Sequence, residues 1–198
     1  ESCDVTNEES IMQYLKKLLN LKLITKTDEI NIEELLKKYA ELGFDLVPVV
    51  ANNKIPIEKE WTVKSHKDPE EWTKWLKDGL NLGIKTGKIS DITVLDIDQK
   101  PIPEELRKLL GNTMFMETRN GYHYVYKYEG DLPKTRIKDL EVDIENDGGQ
   151  IVAYPSAIGN IARLVPNFNS IEKMSPELKS FVLSKITVPR KTVSEKIR

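Results

Sequence analysis

Cysteine and histidine are nearly absent: the 198 residues include one cysteine, Cys3, and two histidines, His66 and His123. One thiol excludes an internal disulfide. The set is also too small for a Cys/His zinc cluster, so any metal must be held by oxygen ligands and no zinc is expected. No apolar run approaches the roughly 20 residues that a membrane-spanning helix needs, and no signal-peptide pattern opens the chain. The expectation is a cytoplasmic protein with no membrane partner. The first residue is Glu1 rather than methionine, which is read as the start of a processed or excised piece. A dominant charge is missing too: 30 Lys and Arg against 32 Asp and Glu leave a net charge of −2. That balance argues against indiscriminate nucleic-acid binding and leaves room for a local basic groove. Internal repeats and low-complexity tracts are also lacking.

What is there is an ordinary globular composition, 39% hydrophobic and 31% charged, in a chain long enough for one sizeable domain with a small appendage. From Thr6 the stretch TNEESIMQYLKKLLNLKLI has a capping-box start and an apolar helical face, and residues 1–28 are read as an N-terminal helical appendage. INIEELLKKYAELG repeats the arrangement with Asn31 as cap and Gly43 as stop. DPEEWTKWLKDG is a third helix, whose Trp72 and Trp75 at i, i+3 are expected to pack in the core rather than stack on bases. Shorter helices are expected at PEELRKLL and at SPELKSFVLSK, and residues 171–198 are read as a C-terminal helix and mobile tail. FDLVPVV reads as a strand whose Pro48 favours an edge. The rest is strand-rich: NLGIKTG, ITVLDID, TMFMET, YHYVYKY, LEVDIE and QIVAYPS. Strands without regularly alternating helices predict an α+β fold with a mixed or mostly antiparallel sheet over residues 29–170.

Charges embedded in apolar strands are the chemical signal. ITVLDIDQK ends a buried-strand pattern in Asp96 and Asp98. Residues i and i+2 of a strand share a face about 6.5–7 Å apart, so the two carboxylates project together while Leu95 and Ile97 face the other way. Such a pair attracts hard divalent cations. It also occurs as plain solvated aspartates, and metal-dependent glycosyltransferases, nucleases and polymerases all use it. LEVDIENDGG places Asp143 between Val142 and Ile144, and Glu141 and Glu145 share its face, so either a cation site or a solvated acidic face fits. In TRNGYHYVYKY, His123 alternates with the tyrosines, and Arg119, Lys127 and Gly121 are consistent with anion binding close to the backbone. GIKTGKIS contains fragments of a phosphate-binding loop, but its glycines are too close and Ile89 follows Lys88. Gly87 is read as helping to turn one strand into the next, with Lys88 to Asp91 forming the connection.

In order, FDLVPV, NKIP with Trp61, NLGIKTGKISDITVLDID, TRNGYHYVY and VDIENDGGQIVAYPS resemble the bifunctional DNA primase/polymerase domain of the archaeo-eukaryotic primase superfamily, found in plasmid and viral replication proteins. The resemblance covers approximately residues 31–160. It implies a primase/polymerase fold, in which a sheet like that of an RNA-recognition motif joins a small α/β portion with the active site in the cleft. It further implies that Asp96, Asp98 and Asp143 hold two Mg²⁺ or Mn²⁺ ions and that His123 contacts the phosphates of an incoming nucleotide. Arg119, Lys54 (in a K-x-P segment) and Ser156 (in a P-S segment) join the nucleotide-binding candidates. Two positions depart from the family: Gly121 stands where serine is often found, and Glu145 where arginine is common.

The activity implied is template-directed nucleotidyl transfer, as DNA primase and DNA polymerase, using dNTP or NTP on single-stranded or primed DNA. With no Walker motif in the chain, any helicase activity belongs to another region or a separate protein. The alternative is a non-catalytic nucleic-acid-binding module of a replication initiator. A glycosyltransferase built on the D-x-D pair leaves Asp143 and the histidine strand without a role.

Overall fold

The computed structural model describes residues 31–159 and 161–186. The helix expected from Thr6, the 1–28 appendage and the tail after Pro189 lie outside them. Asn31 opens helix α1 (Ile32–Glu41), its side-chain oxygen accepting the Glu33 amide at 3.1 Å. Gly43, at φ +76, supplies the left-handed residue that ends it. The chain divides into two compact units between Leu35 and Leu36, a boundary inside α1. The unit from Leu36 onward holds both larger sheets and the other helices.

Its smaller sheet has the antiparallel order β1-β2-β8, from β1 (Leu46–Val49), β2 (Asn81–Lys85) and β8 (Gln150–Val152). β1 lies at an edge, where Pro48 leaves no central ladder bond unmade. Helix α2 (Pro69–Lys77) starts with Pro69 behind an Asp68 cap that accepts the Glu70 amide at 2.9 Å. Trp72 is fully buried and its indole N–H donates to the His66 carbonyl at 3.1 Å, so it is a core residue, while Trp75 meets the His66 ring edge-on at 5.3 Å.

The larger sheet is built on β3 (Ile92–Ile97), with β4 (Phe115–Glu117), β5 (Tyr122–Lys127), β6 (Thr135–Ile137) and β7 (Val142–Glu145) in the order β4-β5-β3-β7-β6. Every pairing is antiparallel, as the strand-rich α+β pattern predicts. One face is apolar. Leu95, Ile97, Ile137, Val142 and Ile144 pack with Leu106 of α3 (Glu104–Arg107) and with Leu178 and Val182 of α4 (Pro176–Lys185). Each such side chain contributes about 1.5–3 kcal/mol by leaving water. This cluster fixes β3 from behind, so the residues on its other face stand on a rigid support. β9 (Ala157–Ile158) and β10 (Ile161–Ala162) form a separate two-stranded ladder.

GIKTGKIS is the end of β2 followed by the turn toward β3. Gly87, at φ +86, and Ile92 exchange backbone hydrogen bonds of 2.7 and 3.2 Å. Lys85 of that stretch faces inward, its ammonium 2.5 Å from Asp45, with side chains 1% and 0% exposed. Asp45 also accepts from the Ser65 hydroxyl and the His66 amide, and Lys85 donates to the Lys64 carbonyl at 2.7 Å. A fully paired buried charge of this kind fastens the 64–66 segment to the small sheet.

Candidate active site

The second face of the larger sheet carries the charged residues, and strand register brings them together. Asp96, next to last in the central strand β3, pairs directly with His123 of β5 on one side and Asp143 of β7 on the other. Asp143 in turn pairs with Arg136 of β6. Residues opposed across a ladder share a face, so His123, Asp96, Asp143 and Arg136 form one row across four strands. Asp98 lies two residues beyond Asp96, just past the strand end, where its amide donates to the Glu141 carbonyl at 2.8 Å.

The row is tied by charge. His123 Nε2 lies 3.3 Å from Asp96 Oδ1. The guanidinium of Arg136 reaches both remaining aspartates, with Nη1 2.8 Å from Asp143 Oδ2 and 3.4 Å from Asp98 Oδ2. Burial pushes the Asp96 carboxyl up, yet the nearby His123, with Lys54 and Arg163 behind it, outweighs burial and holds it below the usual aspartate range. Asp143 goes the other way: burial raises it, Asp96 and Asp98 add like charge, and Arg136 offsets only part. Glu145 is also raised, by burial first and by Asp96 and Asp143, against the pull of Lys134 at 3.2 Å.

Two adjoining hollows open on this face. One is lined by Asp96, Asp98, His123, Arg163, Lys54 and the β4–β5 hairpin residues Thr118, Arg119 and Asn120. The other runs past Asp143, Glu145 and Lys134 to Trp61 and Gln150. Of the residues expected from sequence, Asp96, Asp98, Asp143, His123, Lys54 and Arg119 therefore lie on the same cleft. Ser156 does not join them. It is 3% exposed, its hydroxyl oxygen accepts the Leu82 amide at 2.7 Å, and this bond serves the small sheet.

Arg136 and Arg163 escaped sequence reasoning. Arg163 follows β10, and its Nε is buried with no hydrogen-bond partner. Arg136 sits in a three-residue strand with no alternation long enough to read. The signal for Arg136 was indirect: three acidic positions on one face call for a counter-charge. Gly121 also has a different role from the one its sequence context implied. A Cβ there would lie 1.6 Å from the Ile97 carbonyl oxygen, so the group that needs close approach is the neighbouring strand.

The donor chemistry fits a hard divalent cation, since Asp96, Asp98 and Asp143 present only carboxylate oxygens. The side chains as they stand are not drawn into one shell. Among the described residues, no three acidic, histidine or cysteine side chains converge to hold an ion, and the Arg136 guanidinium bridges two of the three aspartates.

No helix among the described residues is long and apolar enough to cross a membrane. A family model described as bifunctional DNA primase/polymerase, N-terminal, matches residues 36–176, well over half of the 198. No curated protein matches the chain.

Proposed function

The chain belongs to the bifunctional DNA primase/polymerase family, and on that footing we propose that it joins nucleotides on a DNA template, with Asp96, Asp98 and Asp143 holding divalent cations. The observation that supports this reading is the row of His123, Asp96 and Asp143 on three adjacent strands, with Asp98 beside it, on one cleft wall. When bound there, two Mg²⁺ or Mn²⁺ ions supply a lowered pKa for the attacking 3′-hydroxyl and countercharge for the triphosphate and departing pyrophosphate.

The rest of the work falls to the chain's own groups. His123, Lys54, Arg119 and Arg163 line the same hollow as Asp96 and Asp98, and they grip and orient the phosphates of a dNTP or NTP. The unpartnered Nε–H of Arg163 is a donor free for a phosphate oxygen. β3 fixes Asp96, and Asp98 just past its end, because Leu95 and Ile97 are locked into the core behind them. Catalysis then rests on positioning and electrostatics, and no covalent nucleophile of the protein is needed.

Extension of a primed template, followed by de novo synthesis on single-stranded DNA, tests the reading with Mg²⁺ or Mn²⁺ and both nucleotide types. Incorporation is expected in the wild type and lost in Asp96→Ala and Asp98→Ala. Undiminished incorporation by those variants would sink the assignment. Template binding that ignores metal, with no incorporation under any condition, would favour the non-catalytic module of a replication initiator.

A further inference from the structure

We infer that Arg136 is a built-in counter-ion that a divalent cation must displace from Asp98 and Asp143, so that this residue sets the cation affinity of the site. The inference rests on the reading above that these carboxylates bind metal. Its basis is a single nitrogen: Nη1 lies 2.8 Å from Asp143 Oδ2 and 3.4 Å from Asp98 Oδ2, so one side chain occupies two of the three carboxylates that would hold the cation. Strand register puts it there, because Arg136 is the direct partner of Asp143 in the β6–β7 ladder.

Two further features make this contact displaceable. β6 is an edge strand of the sheet, and the Arg136 side chain is 45% exposed, so a long side chain has solvent beside it to swing into. A guanidinium also brings one positive charge to N···O distances of about 2.8 Å. Mg²⁺ brings two charges to about 2.1 Å, so the ion gains more from the same oxygens while the arginine hydrates at little cost. Of the other basic groups on this wall, Lys134 is paired with Glu145, while Lys54 and Arg163 act on Asp96. Removing Arg136 therefore leaves Asp98 and Asp143 without its countercharge and open to the metal.

The test is Mn²⁺ binding to the 198-residue chain, read from the loss of the free-ion electron paramagnetic resonance signal, with no nucleotide or DNA present. Arg136→Gln is expected to bind Mn²⁺ about 2-fold to 5-fold more tightly than wild type, the upper part of the range for an exposed ion pair, while Asp143→Asn weakens binding in both backgrounds. Carboxylate-dependent binding that Arg136→Gln leaves unchanged or weakens would overturn the counter-ion role and leave the metal reading standing. Binding that ignores Asp96, Asp98 and Asp143 in every variant would overturn both. A second readout uses the wild type alone: Mg²⁺ is expected to move the Arg136 guanidinium resonances toward those of a solvated arginine. Resonances unmoved at saturating Mg²⁺ would overturn the displacement.

Discussion

A single methyl group at position 121 tests whether the carboxylate pair is held by the backbone beneath it. In Gly121→Ala the new Cβ would sit 1.6 Å from the Ile97 carbonyl oxygen, 2.7 Å from its carbonyl carbon and 3.1 Å from the Gln99 amide. Carbon and oxygen in ordinary close contact stay about 3.3 Å apart, so the two segments must separate by roughly 1.7 Å. β5 cannot retreat freely: the Gly121 amide donates to Thr118 Oγ1 at 3.0 Å, and its carbonyl accepts the Thr118 amide at 2.8 Å. Overpacking costs about 1–3 kcal/mol, and weakening two hydrogen bonds adds about 0.5 kcal/mol each, for a total of about 3 kcal/mol. At roughly 2–4 °C per kcal/mol in a domain of this size, Tm should fall by about 6–12 °C. Ile97 stands between Asp96 and Asp98, so its displacement should also weaken Mn²⁺ binding. Thermal unfolding followed by circular dichroism measures the first effect, and a Mn²⁺ titration of the folded variant measures the second. A Tm within about 2 °C of wild type, less than 1 kcal/mol would produce, would refute the steric argument.

Lys85→Met leaves the Asp45 carboxylate at 0% exposure without its cation, and urea unfolding should show a loss of about 3–5 kcal/mol, whereas a loss under about 1 kcal/mol would mean the pair does not fasten the 64–66 segment. His123→Ala should keep the fold and weaken dNTP binding about 10-fold, the scale of a charge-assisted hydrogen bond, so equal affinities by calorimetry would remove its phosphate role. Glu145→Gln probes the acidic wall in metal-free buffer. Burial and its acidic neighbours raise the folded pKa of Glu145, so ionising it destabilises the native state, and that loss sets in as pH rises from the unfolded value through the folded one. The Tm of the variant relative to wild type should therefore be higher at about pH 7.5 than at about pH 4, and an equal difference at both would refute the assignment.

The parts of this fold legible in the chain are those governed by short-range periodicity and local caps. Asn31 and Gly43 bracket α1 in this way, and the clearest strand is β3: apolar residues alternate with Asp96, and the strand proved central because Leu95 and Ile97 had a core to fill on one side. Helix α2 was readable from Asp68, Pro69 and its tryptophans, since a cap, a first-turn proline and an i, i+3 aromatic pair are all local signals. Asp143 was visible as a charge between Val142 and Ile144. What no local pattern reveals is that Asp143 faces Asp96 across a ladder, which depends on how a segment far along the chain is registered against β3. Ser156 was ambiguous for a related reason: a hydroxyl beside a proline looks the same in sequence whether it meets a ligand or, as here, the Leu82 backbone.

Arg136 and Arg163 were hidden because one lies in a short strand and the other just past one. β6 has three residues and β10 has two, too few to show a period, so only pairing fixes which side chains face the cleft. Slipping β6 by one residue against β7 would turn Arg136 to the apolar face and present Thr135 or Ile137 to the carboxylates. The slip is opposed by Ile137, which is 2% exposed within the cluster behind β3. The residue that aims Arg136 at Asp98 and Asp143 is therefore its apolar neighbour. Ile137→Asp should disturb the site from the far side of the sheet: it buries a charge, releases the edge strand, and removes the Arg136 contact without touching any charged residue of the row. A variant that kept Arg136 on both aspartates, seen as unchanged guanidinium resonances, would show that the edge strand is held by its ladder bonds alone.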